Sequence, residues 1–134
     1  MILEETLAEI VVKAVKTLYD IDTEKANIQL QKTRKEFAGD VTVVTFSFVK
    51  QARKSPEIVG KELGEHICQN FPLVSEFNVI KGFLNISLSD SYWISLLNET
   101  IAAKNFGQFP ANGKKLMVEY SSPNTNKPLH LGHI

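Results

Sequence analysis

The stretch EFNVIKGFLNISL, residues 76–88, narrows the choice of fold more than any other part of the sequence. Two runs rich in apolar and β-branched residues flank Lys81-Gly82, a turn dipeptide. The pattern predicts a hairpin, or two strands around that turn. A lone hairpin is marginal in water, so it needs further strands or helices to cover it. The sequence offers both. Residues 27–32 (NIQLQK) alternate as a short strand with Ile28 and Leu30 inward. Residues 41–48 (VTVVTFSF) are β-branched and aromatic and favour a strand, with a change to helix near Phe46.

Three longer helices are expected. In residues 2–19, Leu3, Leu7, Ile10, Ala14 and Leu18 recur at spacings of three and four, with Glu4 and Glu5 early and Lys13 and Lys16 late, the order a helix dipole favours. Ser55-Pro56-Glu57 is a helix start, with an N-cap, a proline in the first turn and an acid behind it. Ile58, Val59, Leu63 and Ile67 form the apolar face of that helix, 56–69. Gly60 and Gly64 weaken it, by about 1 kcal/mol each relative to alanine. Their spacing of four predicts close packing against another element. Ser89-Asp90 caps a third helix, 90–105, with Tyr92, Trp93, Leu96, Leu97 and Ile101 as its buried stripe and Gly107 as its stop. Residues 107–113 are a linker by composition, 115–120 (KLMVEY) a further strand, and SSPNTNKPLHLGHI a closing loop. The expected fold is α+β, a small and mostly antiparallel sheet of about four strands covered on one face by the three helices. It occupies residues 1–110, with the start of a second domain at 111–134.

A chain of 134 residues suits one ordinary domain with little left over. Fifteen basic and fifteen acidic side chains cancel, which excludes a strongly basic nucleic-acid binder but not a local cationic patch. Residues 31–54 carry Lys32, Arg34, Lys35, Lys50, Arg53 and Lys54 against Glu36 and Asp40, so one surface could be cationic; a solvated loop explains the same residues. The single Cys68 excludes an internal disulfide and a multi-cysteine zinc site. No apolar run approaches ~18 residues, and the N-terminus has no basic lead-in, so no transmembrane helix, secretory signal or membrane partner is expected. A soluble intracellular domain is the starting expectation.

Two groups of residues could carry chemistry. In His130-Leu131-Gly132-His133 the imidazoles stand three apart. On the first turn of a helix they would share one face, beside free backbone N–H groups that suit a phosphate. They could then donate to charge building on that phosphate, and Gly132 would let a flat base approach the backbone. A zinc site would need a third ligand, and His66 and Cys68 lack the spacing; no metal is expected. A tail that happens to hold two histidines fits the tetrapeptide equally. The second group lies in strand 83–88, where Phe83 and Asn85 share a face opposite Leu84, Ile86 and Leu88. A ring beside an amide can stack on an unstacked base and bond its edge. Phe83 packed under a helix, with Asn85 satisfying backbone groups, remains the other reading.

The segment VEYSSPNTNKPLHLGHI is much more specific. It resembles the signature of class I aminoacyl-tRNA synthetases, and of arginyl-tRNA synthetases in particular: a strand ending in V-E/D-F/Y-S, then S/A-P-N, a lysine and H-x-G-H. Those positions here are Val118, Glu119, Tyr120, Ser121, Pro123, Asn124, Lys127, His130, Gly132 and His133. The resemblance runs back through the chain. The added N-terminal domain of that family carries a G-D motif, here Gly39-Asp40-Val41, then a proline-bearing helix start, here Ser55–Val59. A G-F-[IL]-N motif follows, here Gly82-Phe83-Leu84-Asn85-Ile86. Val41 stands where an aromatic is more usual, and Lys81 where proline is common.

That resemblance implies an arginine–tRNA ligase, converting ATP, L-arginine and tRNA to arginyl-tRNA, AMP and pyrophosphate in the cytoplasm. His130 and His133 would stabilise the α-phosphate, with Gly132 beside the ATP. Lys127 would add charge there, and Ser121 and Asn124 would line the arginine pocket. Phe83 and Asn85 would contact a D-loop nucleotide at the tRNA elbow, and Lys32, Arg34 and Lys35 would supply phosphate contacts. ATP with Mg2+ would be a substrate of the longer enzyme, with nothing bound to this piece. Residues 111–134 would be the stub of a Rossmann-like catalytic domain, too short for a doubly wound fold. The second class signature, K-M-S-K-S, is absent from the 134 residues. The piece alone is therefore expected to be inactive, its parent a monomer, and strand 115–120 an exposed edge through which copies could pair. A stand-alone RNA-binding module would leave the H-x-G-H segment unexplained. A nucleotidylyltransferase also uses H-x-G-H, but usually after the first strand of its chain.

Overall fold

The computed structural model describes residues 3–118, 126, 128, 130 and 131. It forms two compact units, Met1–Ala102 and Ala103–Ile134.

The first unit is the α+β fold the sequence predicts. Its elements are α1 (Leu3–Tyr19), a 3-10 turn at Lys25–Asn27, β1 (Leu30–Lys32), β2 (Val41–Val44), α2 (Phe46–Ala52), α3 (Pro56–Asn70), β3 (Val74–Ile80), β4 (Phe83–Leu88) and α4 (Asp90–Ala102). The four strands form one antiparallel sheet in the order β1-β2-β4-β3. Lys81 and Gly82 both have positive φ, +51° and +80°, so β3 and β4 are joined by a type I′ turn whose twist matches the strands. Ser55 caps α3, its Oγ accepting from Ile58 N at 3.3 Å, with Pro56 as the first helical residue.

Alternation divides the sheet. Val43, Leu84, Ile86 and Leu88 face α1 and α3 and are buried with Leu7, Val11, Val15, Val59, Leu63 and Ile67. The helix glycines act as the sequence predicts. A Cβ at Gly60 would stand 2.9 Å from Val79 Cγ1, and one at Gly64 would overlap the Phe77 ring. The two glycines thus let α3 settle onto β3.

Two expectations are corrected. No residue of α4 is fully buried, and Trp93, Leu97 and Ile101 are 44%, 58% and 73% exposed. The sheet's inner face is already filled by α1 and α3. Tyr92 and Leu96 instead lean over a cleft with Leu3, Ile10 and Phe71–Leu73. The expected strand 115–120 is the other. Residues 115–118 carry no strand, and Leu116, Met117 and Val118 are exposed. A strand needs a neighbour to pair its N–H and C=O groups. Glu119 and Tyr120 lie outside the described residues. Among the described residues, no helix is long and apolar enough to cross a membrane.

Candidate nucleic-acid interface

The sheet's other face carries a row of polar residues. Register places Gln31 opposite Thr42, Thr42 opposite Asn85, and Asn85 opposite Asn78, one residue from each strand. Their side chains form a directed chain of hydrogen bonds. Asn78 Nδ2 donates to the Ala38 carbonyl at 2.7 Å. A carbonyl can only accept, so Asn78 turns its Oδ1 to Asn85 Nδ2, at 2.8 Å. Asn85 Oδ1 in turn accepts from Thr42 Oγ1 at 2.6 Å. Thr42 has one hydroxyl hydrogen, so in its 3.0 Å contact with Thr33 the donor is Thr33. Thr33, Thr42 and Asn85 are all buried, and no buried side-chain polar atom among the described residues lacks a partner.

The loop from Thr33 to Asp40 is pinned over this row. Gly39 has φ +125°, and a Cβ there would stand 3.2 Å from Asn85 Cβ and 3.3 Å from the Ile86 carbonyl, so the close approach needs glycine. Asp40 then grips β4 twice. Its backbone N donates to the Ile86 carbonyl, and its Oδ2 accepts from Leu88 N, both at 2.8 Å.

Phe83 is fixed just as firmly. Thr45, fully buried at the β2–α2 junction, donates its hydroxyl to the Gly82 carbonyl at 2.6 Å. A side chain at Gly82 would meet Pro56 and Phe46. The Phe83 ring meets Phe46 edge-on, with centroids 5.3 Å apart and an interplanar angle of 86°.

Between the pinned loop and the Lys81-Gly82 turn opens a cavity of about 130 Å³, lined by Gln31, Arg34, Phe37, Thr42, Ile80, Lys81, Phe83 and Asn85. That is roughly ten times the space one water needs. Aromatic and aliphatic walls surround a few polar groups, with the cationic Arg34 and Lys81 at the edge.

Of the residues singled out by sequence, Phe83, Asn85 and Arg34 come together here. Lys32 does not; it has the parity of Leu30 and lines another cleft, with Leu3, Asp40, Val41 and Trp93. Lys35 is exposed on the same loop as Arg34. His130 is exposed in the second unit. Ser121, Asn124, Lys127, Gly132 and His133 lie outside the described residues. Sequence reasoning missed Gln31, Thr42 and Asn78. Alternation within each strand marks Gln31 and Thr42 as outward, but only the register aligns them with Asn85.

A family model described as the arginyl tRNA synthetase N terminal domain matches residues 5–88, from α1 to the end of β4. Curated relatives match over more of the chain. The arginine–tRNA ligase of Parabacteroides distasonis is 46% identical over 136 residues, covering 100% of this chain and 23% of that protein. That of Porphyromonas gingivalis is 53% identical over 123 residues, 90% of this chain and 21% of that protein. Among solved structures, the arginyl-tRNA synthetase of Thermus thermophilus superposes with a TM-score of 0.60 at 29% identity, covering 98% of this chain and 21% of that one. The chain thus spans about a quarter of the length of the relatives it matches. With the matched region enclosing both the pinned loop and the Phe83–Asn85 strand, the chain belongs to the arginyl-tRNA synthetase N-terminal domain family.

Proposed function

We propose that the outer face of the sheet binds arginine tRNA, with the cavity around Phe83 taking one unpaired nucleotide of the D-loop. The observation that carries this reading is the convergence of Phe83, Asn85 and Arg34 on one cavity. An apolar box with an aromatic wall can hold a base taken out of its stack, and a cation at the rim can meet the adjoining phosphate. Arg34, Lys35 and Lys81 supply that charge locally although the chain as a whole is neutral.

In the same reading the longer protein is a cytoplasmic, monomeric arginine–tRNA ligase that uses ATP with Mg2+, L-arginine and tRNA. His130 and His133 stabilise the α-phosphate, with Gly132 beside the nucleotide. Lys127 adds charge there, and Ser121 and Asn124 line the arginine pocket. The division into a tRNA-contacting domain at 1–110 and the beginning of a catalytic domain at 111–134 belongs to this proposal. So do the inactivity of the 134 residues alone and the exposed Leu116–Val118 as the contact for any self-association.

The test is a titration of the 134-residue chain at low salt with arginine tRNA transcript, beside a transcript whose D-loop is replaced. Binding confined to the intact D-loop, and weakening as salt rises, is the expected result. Equal binding of both transcripts would overturn the D-loop assignment. Arginine-dependent ATP–pyrophosphate exchange by the same preparation would overturn the division of labour.

A further inference from the structure

Helix α2 carries an exposed ring and two uncommitted cations along one stripe. Its inner side is Phe48, 3% exposed, with Val49 and Ala52 packed against the core. Phe46, Lys50 and Arg53 follow one another on the other side at spacings of four and three, and all are exposed. Phe46 stays 46% open to solvent although its ring meets Phe83.

The two cations have no carboxylate to satisfy. Lys16, Lys25, Lys54 and Lys61 hold ion pairs, whereas neither Lys50 nor Arg53 makes an ion pair or a side-chain hydrogen bond among the described residues. Glu62 is already taken by Lys54 at 2.7 Å. Glu57, exposed in the first turn of α3, opposes them, and Lys81 in the β3–β4 turn offsets it.

The stripe continues the cavity. Phe83 lines the cavity, and the Phe46 ring lies beyond it, 5.3 Å from centroid to centroid. The turn alongside is close-fitting, since a Cβ at Gly82 would stand 3.1 Å from Phe46 Cε1. A strand leaving the cavity past Phe83 would therefore meet a second ring, then a cation one helical turn on and another at the end of α2. An exposed ring accepts the flat face of any base, and unpaired lysine and arginine suit phosphates.

We propose that the Phe46, Lys50 and Arg53 stripe is a second RNA contact. A nucleotide adjoining the one in the cavity stacks on Phe46, and the phosphates that follow it meet Lys50 and Arg53. The stripe adds affinity and sets the direction of the strand without choosing a base. This inference rests on the RNA reading of the cavity given above.

The experiment titrates arginine tRNA transcript into the unmodified 134-residue chain over a series of salt concentrations, beside Lys50→Gln/Arg53→Gln, Phe46→Leu, Phe46→Tyr and Phe83→Ala. The double variant loses two charges from exposed side chains without partners, so its melting temperature should hold. Its slope of log affinity against log salt should be shallower by about 1.5, the share of two phosphate contacts. Phe46→Leu leaves an apolar side chain beside Phe83 but no ring. It should bind about tenfold more weakly with the slope unchanged, and Phe46→Tyr should bind as the unmodified chain does. If Phe83→Ala weakens binding while the double variant keeps the slope, or Phe46→Leu keeps the affinity, the α2 stripe falls and the RNA reading stands. Equal losses with leucine and tyrosine would overturn the stacking on Phe46 in the same way. If Phe83→Ala binds as the unmodified chain does, or that chain does not bind at all, the RNA reading falls and the stripe with it.

Discussion

The side chain of Asn78 receives a hydrogen bond from Asn85 at 2.8 Å while its own amide donates to the Ala38 carbonyl at 2.7 Å. One loop carbonyl thereby sets the direction of every hydrogen bond across three strands. Thr42→Val removes the central hydroxyl, leaving Asn85 Oδ1 without its donor and Thr33 without its acceptor in a buried row. The expected cost is about 1–3 kcal/mol. A urea titration should show the loss, and Thr42→Ser should restore most of it. A loss with Ser but none with Val would mean that the methyl group, not the hydrogen bond, matters at this position.

Gly64→Ala sets helix propensity against packing. Alanine would gain about 1 kcal/mol within a free helix. Here its Cβ would overlap Phe77 at ring atoms up to Cγ, which a rotamer change cannot move far. Overpacking should win, with a net loss of about 1–3 kcal/mol. Gly60→Ala, facing Val79 at 2.9 Å, should cost less. The two urea midpoints give the order directly.

Lys81 sits at φ +51° in the β3–β4 turn. Proline is locked near −65° and cannot adopt that backbone. Lys81→Pro should force another turn type and lower the melting temperature. Lys81→Asn should raise it, since asparagine suits the first position of a type I′ turn. A rise with proline would show that the hairpin readily changes turn type.

Glu62 ties the end of α1 to α3. Lys54 Nζ reaches its two oxygens at 2.7 and 2.8 Å, and the Tyr19 hydroxyl donates at 2.6 Å. The Lys54 bonds first, then the Tyr19 bond, hold the Glu62 carboxyl below its ordinary range. The unfolded chain therefore takes up the proton first as pH falls. The contribution is whole above the unfolded value of about 4.3, and is lost as pH drops through the lower folded value. The pair is partly exposed, so no more than about 1 kcal/mol is at stake. Glu62→Gln should narrow the stability difference between pH 7 and pH 3. An unchanged difference would remove Glu62 from the acid response. Tyr19 moves the other way. Burial, then the bond to Glu62, raises its hydroxyl above the ordinary tyrosine value, so its share is present below about pH 10 and lost above it.

Much of this fold is legible locally. Ser55-Pro56 starts α3, Lys81-Gly82 turns the hairpin, and the change from strand to helix falls at Phe46, because caps, turns and β-branched runs act over a few residues. The helix glycines announce a close approach, though not that Val79 and Phe77 are its partners. The stripe on α4 misled for a related reason. Periodicity shows which face is apolar, not whether the sheet has room left for it, and Trp93, Leu97 and Ile101 stay outside. The site divides likewise. Phe83 and Asn85 can be paired by strand parity, and Arg34 comes with its cationic stretch. Gln31, Thr42 and Asn78 join them through a register spanning 47 residues between Gln31 and Asn78, which no local pattern encodes.

The most direct test maps the bound face. Backbone and side-chain amide signals of the 15N-labelled chain would be followed as arginine tRNA transcript is added at low salt. The account predicts shifts or broadening concentrated at Gln31, Arg34, Phe37, Thr42, Lys81, Phe83 and Asn85, with the α1 and α3 signals little changed beyond the general loss expected for a large complex. Changes centred on α1, α3 or α4, with the outer sheet face unaffected, would contradict it.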